Sequence, residues 1–474
     1  MQSLLTSSVS GGSDLTPFEA EHLVQGLKTF SIEDVGTPRW LGQHTTVQRL
    51  NTLAHLQAQH ANDEYVVDLI ITHEKLEVLV HELVVIECWR ECVLPHLLKQ
   101  DSFVDLPAIK NYIPLLHESI LVNLLECMVF HKKTVTALAA TDALVDLVDY
   151  MHRRLQAAVA LTHNTTRTST SRTASTTSSG NGDTTNREVL CRQEADSAFQ
   201  VCMGAIALTH SVTEYSQELP KPVVKRIVEQ QDWLLSLVPL MDAQPWLREN
   251  SRGRVEKYEN SVWQPVADGD STMPRVQGQV LLSIYNLVMD RDCMANYEIT
   301  NFRKQNLLKM RRHLGEVVCD QIPPLLDLRR VLEEMSIQGN LPAAPSTSPF
   351  IVELVAAIRE GLLAKYRGRW EEIAKRQLAD VFLKRDTSEE TRSLMRVLCD
   401  NMDTIEETNP TCPQCGKPAE KRCSKCRREF YCSRECQVLD WSRHKKLCPM
   451  LAQQGQAAHS KALQSDSGTK LRTD

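Results

Sequence analysis

Seven cysteines and one histidine lie within the 37 residues from Cys412 to Cys448 of a 474-residue chain. Their intervals are C-x2-C-x7-C-x2-C-x5-C-x3-C-x7-H-x3-C. Thiolate and imidazole are preferred zinc ligands, and a structural zinc ion takes four of them in a tetrahedron. The eight side chains therefore predict two structural Zn2+ sites, with the candidate ligands Cys412, Cys415, Cys423, Cys426, Cys432, Cys436, His444 and Cys448.

The spacing leaves the pairing of these ligands open. Sequential pairing gives two independent knuckles, and the long seven-residue gaps also allow an interleaved cross-brace. So short a segment has too little apolar surface to fold unaided, so the metal must supply much of its folding free energy, roughly 10 to 16 kcal/mol per structural zinc. Four protein ligands per ion leave no position for water, which argues against Lewis-acid catalysis.

The other eight cysteines are scattered through the chain. The N-terminus has neither the basic region nor the apolar core of a secretory signal, so we expect the chain to stay in the cytosol. In that reducing compartment, clustered cysteines are more often metal ligands than disulfides. We interpret the scattered ones as core residues: Cys88, Cys92, Cys127, Cys191, Cys202, Cys293, Cys319 and Cys399.

Charge and hydropathy exclude two classes of partner. The formal net charge is −6, so the chain is no global polycation and nucleic-acid binding is not expected. No stretch reaches about 18 uninterrupted apolar residues, so no membrane span is expected. With 42% hydrophobic residues the chain is predicted to fold as a soluble protein.

Apolar residues recur at helical spacing along most of the chain before the cysteine-rich segment. Leu76, Leu79, Val80 and Leu83 form one such series, and Thr16 offers an N-cap, with Pro17 after it and Glu19 three residues on, for a first helix. Several amphipathic helices joined by short breaks suggest stacked pairs of the armadillo or HEAT kind, although no fixed period is found. The predicted fold is all-α, with a small zinc module at the C-terminus.

Composition divides the chain into predicted regions. Residues 1–14, the Thr/Ser-rich linker 162–187 and the tail 453–474 are predicted to be disordered, and 339–349 is a short linker. The predicted folded parts are an N-terminal helical domain at 15–161, a second helical region at 188–338, a charged helical segment at 350–405 with a solvated face, and the zinc module at 412–448.

Catalytic signatures are not found in the sequence. It has no phosphate-binding loop, no dinucleotide-binding glycine motif, no nucleophile elbow and no kinase set. The pairs His73-Glu74 and His81-Glu82 lack the second histidine one turn on that a metalloprotease helix needs, so we interpret them as solvated positions. The sequence thus indicates a protein that is not an enzyme.

The complete interval string from 412 to 448 resembles a MYND-type zinc finger, with all eight ligands in place. The resemblance implies interleaved pairing, with one zinc held by Cys412, Cys415, Cys432 and Cys436 and the other by Cys423, Cys426, His444 and Cys448. It also implies a shallow groove for short proline-containing peptides.

By motif position, that groove is lined by Ser424, Gln437 and Trp441. The indole of Trp441 is a flat platform for a proline ring, and Gln437 can hydrogen-bond an extended peptide backbone. The alternative for Trp441 is simple packing in the small core of the finger. The segment 412–448 contains ten Lys/Arg and four Asp/Glu, so its side chains carry a net charge of +6. Two Zn2+ ions and seven thiolates change this net charge to +3, which is enough to steer an acidic partner.

Three stretches outside the finger carry a weaker resemblance: Leu147-Val148-Asp149-Tyr150; Gly278-Gln279-Val280 with Tyr285-Asn286-Leu287; and Arg367-Gly368 with Trp370. They are similar to a family of MYND-finger proteins that act as cytoplasmic assembly factors for axonemal dynein arms and ciliary motility. The resemblance implies other assembly factors and chaperones as partners, dynein chains as clients, and a place near the centrosome or ciliary base.

Two other kinds of MYND protein are alternatives. In SET-type lysine methyltransferases the finger interrupts the catalytic domain, whereas only 26 residues follow Cys448 here and no SET strand motifs occur. Transcriptional corepressors also end in MYND fingers and remain the alternative. The short basic runs of this chain are too brief to count as nuclear import signals.

Overall fold

The computed structural model describes residues 15–60, 64–106, 108–172, 186–250, 253–267, 269–337 and 354–384, and within the cysteine-rich segment residues 412, 415, 419, 421–425, 430–441, 444–445 and 448. The chain divides into two compact units. One is a helical body within Ser13–Met395, and the other is a C-terminal unit within Arg396–Asp474.

The described part of the body is predominantly helical, which confirms the predicted all-α class. Its α-helices are α1 (Pro17–Gly26), α2 (Pro38–His60), α3 (Tyr65–Thr72), α4 (Leu76–Cys92), α5 (Leu94–Leu97), α6 (Asp101–Val104), α7 (Ala108–Val129), α8 (Lys132–Ala139), α9 (Ala143–Arg172), α10 (Asn186–Glu214), α11 (Lys221–Lys225), α12 (Trp233–Ala243), α13 (Arg275–Met289), α14 (Arg291–Asn296), α15 (Asn301–Leu308), α16 (Glu316–Gln321), α17 (Leu325–Ile337), α18 (Ala357–Lys365) and α19 (Trp370–Gln377).

Short 3-10 turns and two π-helical segments extend or connect these helices, at Ile32–Asp34, Ser216–Glu218, Arg226–Gln230, Lys309–His313 and Leu378–Phe382. The α-helices range from 4 to 30 residues, and such a spread defines no fixed repeat. The armadillo or HEAT arrangement therefore stays a prediction.

The first helix begins at the predicted capping box. The Thr16 hydroxyl accepts a hydrogen bond from the Glu19 amide at 3.3 Å, and the Glu19 carboxylate accepts one from the Thr16 amide at 2.9 Å. The start of α1 at Pro17 is confirmed. Local sequence suffices here because both partners lie within three residues of each other.

A three-stranded antiparallel sheet is an addition that the helical patterns did not predict. It comprises β1 (Leu247–Glu249), β2 (Val255–Glu259) and β3 (Val262–Pro265), in that spatial order. Asn260 and Ser261 form the two-residue turn between β2 and β3, both at positive φ (49° and 63°), as a tight hairpin requires.

The described residues of the helical regions predicted as separate at 15–161, 188–338 and 350–405 contribute to one hydrophobic core, which the predicted division did not anticipate. Residues 350–353 and 385–405 of the third region lie outside the described residues. Helix α10 packs along α7, and Gly204 of α10 faces Val122 of α7. In the charged segment, the side chain of Gln377 accepts a hydrogen bond from the Trp89 indole at 2.9 Å, and Phe382 packs on Phe103 at 5.0 Å. The predicted division was based on the composition of the linkers. Linker composition does not show which helix faces pack against each other.

Gly204 permits the close approach of α7 and α10, and substitution by alanine is expected to destabilise the body. A Cβ atom at position 204 would lie 2.4 Å from Cγ1 of the buried Val122, closer than van der Waals contact allows. Overpacking of this kind costs about 1 to 3 kcal/mol. Urea denaturation of Gly204→Ala measures the loss.

Gly42→Ala is the matched control, because Gly42 also lies inside a helix, α2, and a Cβ there meets nothing within 4 Å. The control is expected to gain about 0.5 to 1 kcal/mol, since alanine restricts the unfolded chain. Equal stability changes at the two glycines would show that helix propensity, and not the helix contact, decides the outcome.

The ends of the predicted 162–187 linker differ from the prediction. Helix α9 continues to Arg172 and α10 begins at Asn186, so both ends are helical backbone. Adding residues to an existing helix costs far less than nucleating one, so polar composition alone does not stop it. Residues 173–185 lie outside the described residues, as do the calls at 1–14, 339–349 and 453–474.

Within α7, residues Lys110–Val129 are long and apolar enough to cross a membrane by length and composition, and 72% of that window is buried inside the body. The face of α7 towards α2 carries paired polar side chains. His117 lies 3.0 Å from His44 between their Nδ1 atoms, and the Asn123 amide donates to the Asn51 side chain at 3.2 Å. Such polar pairs fix the register of two helices, because a slip would leave them unpaired.

Four scattered cysteines are buried as predicted, namely Cys88, Cys202, Cys293 and Cys319. Cys92 and Cys127 are half-buried, Cys191 is exposed, contrary to the prediction, and Cys399 lies outside the described residues. Burial raises the pKa of Cys88 and of Cys202 to about 12, so both are thiols at neutral pH. Such thiols are poor nucleophiles and behave as core residues.

The interior also holds carboxylates that are paired with arginines, and one of them connects three helices. Glu87 of α4 is fully buried. Its carboxylate accepts hydrogen bonds from Arg153 (2.8 Å) and Arg154 (2.6 Å) of α9, and Arg359 of α18 lies at 3.4 Å. Nearby, Glu118 accepts from Arg90 at 2.5 Å. Charge-assisted pairing of this kind is required for a carboxylate out of water.

One histidine-glutamate interpretation was wrong. Glu82 was expected to be solvated, and it is 3% exposed, with a carboxylate oxygen 3.7 Å from Nε2 of the buried His117. Helical spacing predicts which residues share a face of a helix. Glutamate is rarely buried, so the sequence favoured a solvent-exposed position for Glu82.

Candidate zinc centre

Two short strands and one helix build the cysteine-rich unit. Strand β4 (Lys421–Arg422) pairs antiparallel with β5 (Phe430–Tyr431), and residues 434–441 form a helix directly after β5. The Ser433 hydroxyl accepts a hydrogen bond from the Cys436 amide at 3.3 Å and so caps the start of that helix. These elements bring together ligand candidates that are distant in sequence.

The first ligand group contains four cysteines whose sulfur atoms all lie within 4.8 Å of one another. Sγ of Cys415 is 3.3 Å from Sγ of Cys432 and 3.8 Å from Sγ of Cys436, and the last two are 3.6 Å apart. The fourth member, Cys412, is buried. Cysteines from before β4 thus meet cysteines from after β5, which is interleaved and not sequential pairing.

The second group contains Cys423, His444 and Cys448, all buried, with ligand atoms within 4.8 Å of one another. Sγ of Cys423 lies 3.9 Å from Sγ of Cys448. The fourth expected ligand, Cys426, lies outside the described residues. The two groups are the only sets of three or more such ligands found within the described ranges.

The donor chemistry of both groups fits zinc. Tetrahedral coordination with a Zn–S bond of about 2.3 Å places sulfur atoms about 3.8 Å apart, close to the observed separations of 3.3 to 3.9 Å. A disulfide would need a bond of about 2.05 Å. Hydrogen bonds with Cys415 and, secondly, Cys436 raise the pKa of Cys432 to about 12, and a bound divalent cation would instead favour its thiolate. Two structural zinc ions fit these groups.

Two residues that the ligand pattern did not identify support the second group. The buried Tyr431 hydroxyl donates a hydrogen bond to the Asp440 carboxylate at 2.8 Å, which ties β5 to the helix. The Tyr431 ring packs edge-on against the His444 ring at 6.1 Å between centroids. The signal in the sequence was an aromatic residue directly before Cys432, between two ligands of different groups.

The three predicted groove residues lie at accessible positions. Gln437 is half-buried and Trp441 is 42% exposed, and they lie one turn apart on the 434–441 helix. Ser424 is exposed in the turn after Cys423. The Trp441 ring also lies 5.8 Å from the His444 ring, so it has one face on the zinc core and remains partly open to solvent.

Comparison with known proteins identifies the module. The MYND finger family matches residues 412–448, so the chain ends in a MYND zinc finger. Over nearly its whole length the chain is 27% identical to the zinc finger MYND domain-containing protein 10 homolog of Drosophila melanogaster, a match of 465 residues that covers 91% of this chain and 98% of that protein.

Two further relatives match only a short stretch of this chain. Dauer abnormal formation protein 25 of Caenorhabditis elegans is 54% identical over 41 residues, which are 8% of this chain and 10% of that protein. Protein CBFA2T2 of Mus musculus is 39% identical over 62 residues, 13% of this chain and 9% of its own. No solved structure matches.

Proposed function

We propose that this protein is a non-enzymatic adaptor, in which the MYND finger binds a peptide segment of one partner and the helical body binds another protein. One zinc is held by Cys412, Cys415, Cys432 and Cys436, and the second by Cys423, Cys426, His444 and Cys448. The observation that carries the proposal is the placement of Gln437 and Trp441. Both are accessible on a helix that the zinc ligands hold in place.

The coordination supports a structural role for the metal. The first group supplies four thiol ligands, which fill a tetrahedron and leave no position for a substrate or a water molecule. Catalytic zinc sites instead have three protein ligands and an open fourth position. The absence of catalytic motifs from the sequence supports the same conclusion, that the finger is a binding module.

The specific role that we propose is assembly of axonemal dynein arms in the cytoplasm, near the centrosome or ciliary base. Its support is the resemblance of three stretches in the helical body to a family of such factors. Further support comes from the Drosophila relative, which matches this chain over nearly its whole length, the body and the finger together. Dynein chains would be clients, and other assembly factors and chaperones would be partners.

Affinity purification of the full-length protein from ciliating cells tests that role. We expect dynein chains or dynein-arm assembly factors among the recovered proteins. Recovery of chromatin repressors alone would contradict the role and favour a corepressor, the class that also ends in a MYND finger.

Substitution of Trp441 by alanine is expected to weaken binding of the finger's partner by more than about tenfold. A partly exposed tryptophan at the centre of an interface commonly contributes 2 kcal/mol or more. Because Trp441 is no zinc ligand, the variant should keep two zinc ions per chain. Quantitative co-purification together with zinc analysis by mass spectrometry measures both.

Phe18→Ala is a suitable control, because Phe18 is an 80% exposed aromatic residue in α1. It should leave both partner recovery and zinc content unchanged. Loss of zinc in the Trp441 variant would instead assign Trp441 to the core of the finger, and the groove assignment would be wrong.

A further inference from the structure

Helix α18 (Ala357–Lys365) contributes little apolar surface to the core of the body. The structure describes all nine of its residues, and none of them is buried; its apolar residues Ile358 and Leu362 are half-buried. The next helix, α19, instead buries Ile373 completely. The interior of α18 also contains the exposed Gly361, and a glycine at such a position weakens a helix. Helix α18 therefore depends on contacts other than apolar burial.

Carboxylates of two other helices hold the start of α18. Asp146 of α9 is 2% exposed, and its two oxygens accept hydrogen bonds from the Ile358 and Arg359 amides at 3.3 Å each. The Arg359 guanidinium lies 2.7 Å from the Glu91 carboxylate and 3.4 Å from that of Glu87, both in α4. Backbone amides at a helix start and a guanidinium are both favoured partners of carboxylates. Glu87, Glu91 and Asp146 thus form an acidic site, which is occupied by the start of α18.

The turn after α18 allows this helix to move independently of α19. Gly368 lies between the two helices at a φ of 75°, and it is exposed. Glycine adopts this conformation at little cost and tolerates changes in φ and ψ, so Gly368 is a suitable hinge. A helix of nine residues is marginal in water on its own, so α18 would lose its helical hydrogen bonds on release.

We infer that α18 is a releasable latch, and that the acidic site beneath it binds an arginine-bearing helix start of a partner protein. The inference rests on the proposed function, in which the helical body binds another protein, and it names the place of that binding. Charge complementarity selects the partner. Once α18 has left, Asp146 lacks its amide donors, and Glu87 and Glu91 lack the guanidinium of Arg359. A helix start with an arginine as its third residue restores both sets of contacts, so α18 is the internal competitor of that segment.

Hydrogen–deuterium exchange of the full-length, zinc-loaded protein tests the latch. Wild type should exchange the amides of 357–365 faster than those of 370–377, because release opens α18 alone. Arg359→Ala should accelerate exchange in 357–365 by about tenfold or more and leave 370–377 unchanged, since two charged contacts are lost. Gly361→Ala should slow exchange in 357–365 by about two- to fivefold, because a Cβ there meets nothing within 4 Å and alanine favours the helix.

A peptide tests the acidic site on the same full-length variants. The probe is a fluorescent, acetylated peptide with the sequence of residues 354–366, and its matched form replaces the arginine by alanine. Fluorescence anisotropy should show about tenfold tighter binding of the probe to Arg359→Ala than to Gly361→Ala, since the latch competes less in the first variant. The alanine peptide should bind Arg359→Ala about tenfold more weakly than the probe does, because it cannot pair with Glu87 and Glu91.

Arg330→Ala is the control, because Arg330 is an exposed arginine on α17, and this variant should match wild type in both experiments. Equal exchange of 357–365 and 370–377 in wild type, with both accelerated together by Arg359→Ala, would overturn the latch. Faster exchange of α18 in Arg359→Ala without binding of the probe would overturn the partner site. Failure of the proposed function is distinguishable from both, since wild type would then recover no partner in the affinity purification, whatever the peptide does.

Discussion

Removal of zinc is expected to unfold the finger while the helical body stays folded. Structural zinc contributes about 10 to 16 kcal/mol in small fingers, far more than the small core around Tyr431 can supply unaided. The body has its own core and no ligand of either group. A chelator titration followed by limited proteolysis should therefore release fragments from the C-terminal unit first, with the far-ultraviolet circular dichroism almost unchanged.

Substitution of single ligands tests which cysteines bind the same zinc ion. Cys415→Ser and Cys432→Ser should each lose the same zinc ion, because their sulfur atoms lie 3.3 Å apart in one group. Cys191→Ser is the matched control, since Cys191 is exposed on α10 and should leave two zinc ions in place. Retention of two ions by either ligand variant would contradict the ligand assignment, and loss of both ions by the double variant Cys415→Ser/Cys432→Ser would contradict the interleaved arrangement. Loss of the fold of the body in any of these variants would contradict its independence from the finger.

Substitution of Glu87 by alanine is expected to destabilise the body by about 3 to 5 kcal/mol. Removal of one partner from a buried ionic cluster leaves the others without their counter-charge. Here Arg153 and Arg154 would lose the carboxylate that accepts their hydrogen bonds, and α18 would lose the contact of Arg359. Guanidinium denaturation of the full-length protein measures the change in unfolding free energy.

Glu371→Ala is the control for charge removal. Glu371 forms an exposed pair with Lys375 one turn away on α19, and solvent screens such exposed pairs, so its removal should change the stability little. A loss below about 1 kcal/mol for Glu87→Ala would mean that water replaces the carboxylate, and the cluster would then not hold α4, α9 and α18 together.

Local interactions explain why some features were predictable from sequence. The spacing of the ligands determines the donor set, and the interval of three residues between Thr16 and Glu19 determines a helix start. The turn at Asn260 and Ser261 is local as well. Both residues have positive φ, but neither is a glycine, the residue that indicates positive φ most clearly in a sequence.

The long-range arrangement of the body could not be predicted in the same way. The pairing of Glu87 with Arg359 spans 272 positions, and the contact of Gly204 with Val122 depends on how two distant helices meet. A single sequence shows which faces are apolar and does not show which faces join. In the finger, Tyr431 and Asp440 were missed for a similar reason, since a tyrosine and an aspartate carry no metal signature.

Hydrogen–deuterium exchange of the zinc-loaded, full-length protein, with and without its co-purified partner, tests the central claim most directly. If the finger is a zinc-stapled binding surface, the partner should slow exchange in residues 421–425 and 434–441, and Trp441→Ala should abolish that protection while two zinc ions remain. Protection confined to the helical body, with exchange in the finger unchanged, would contradict the account.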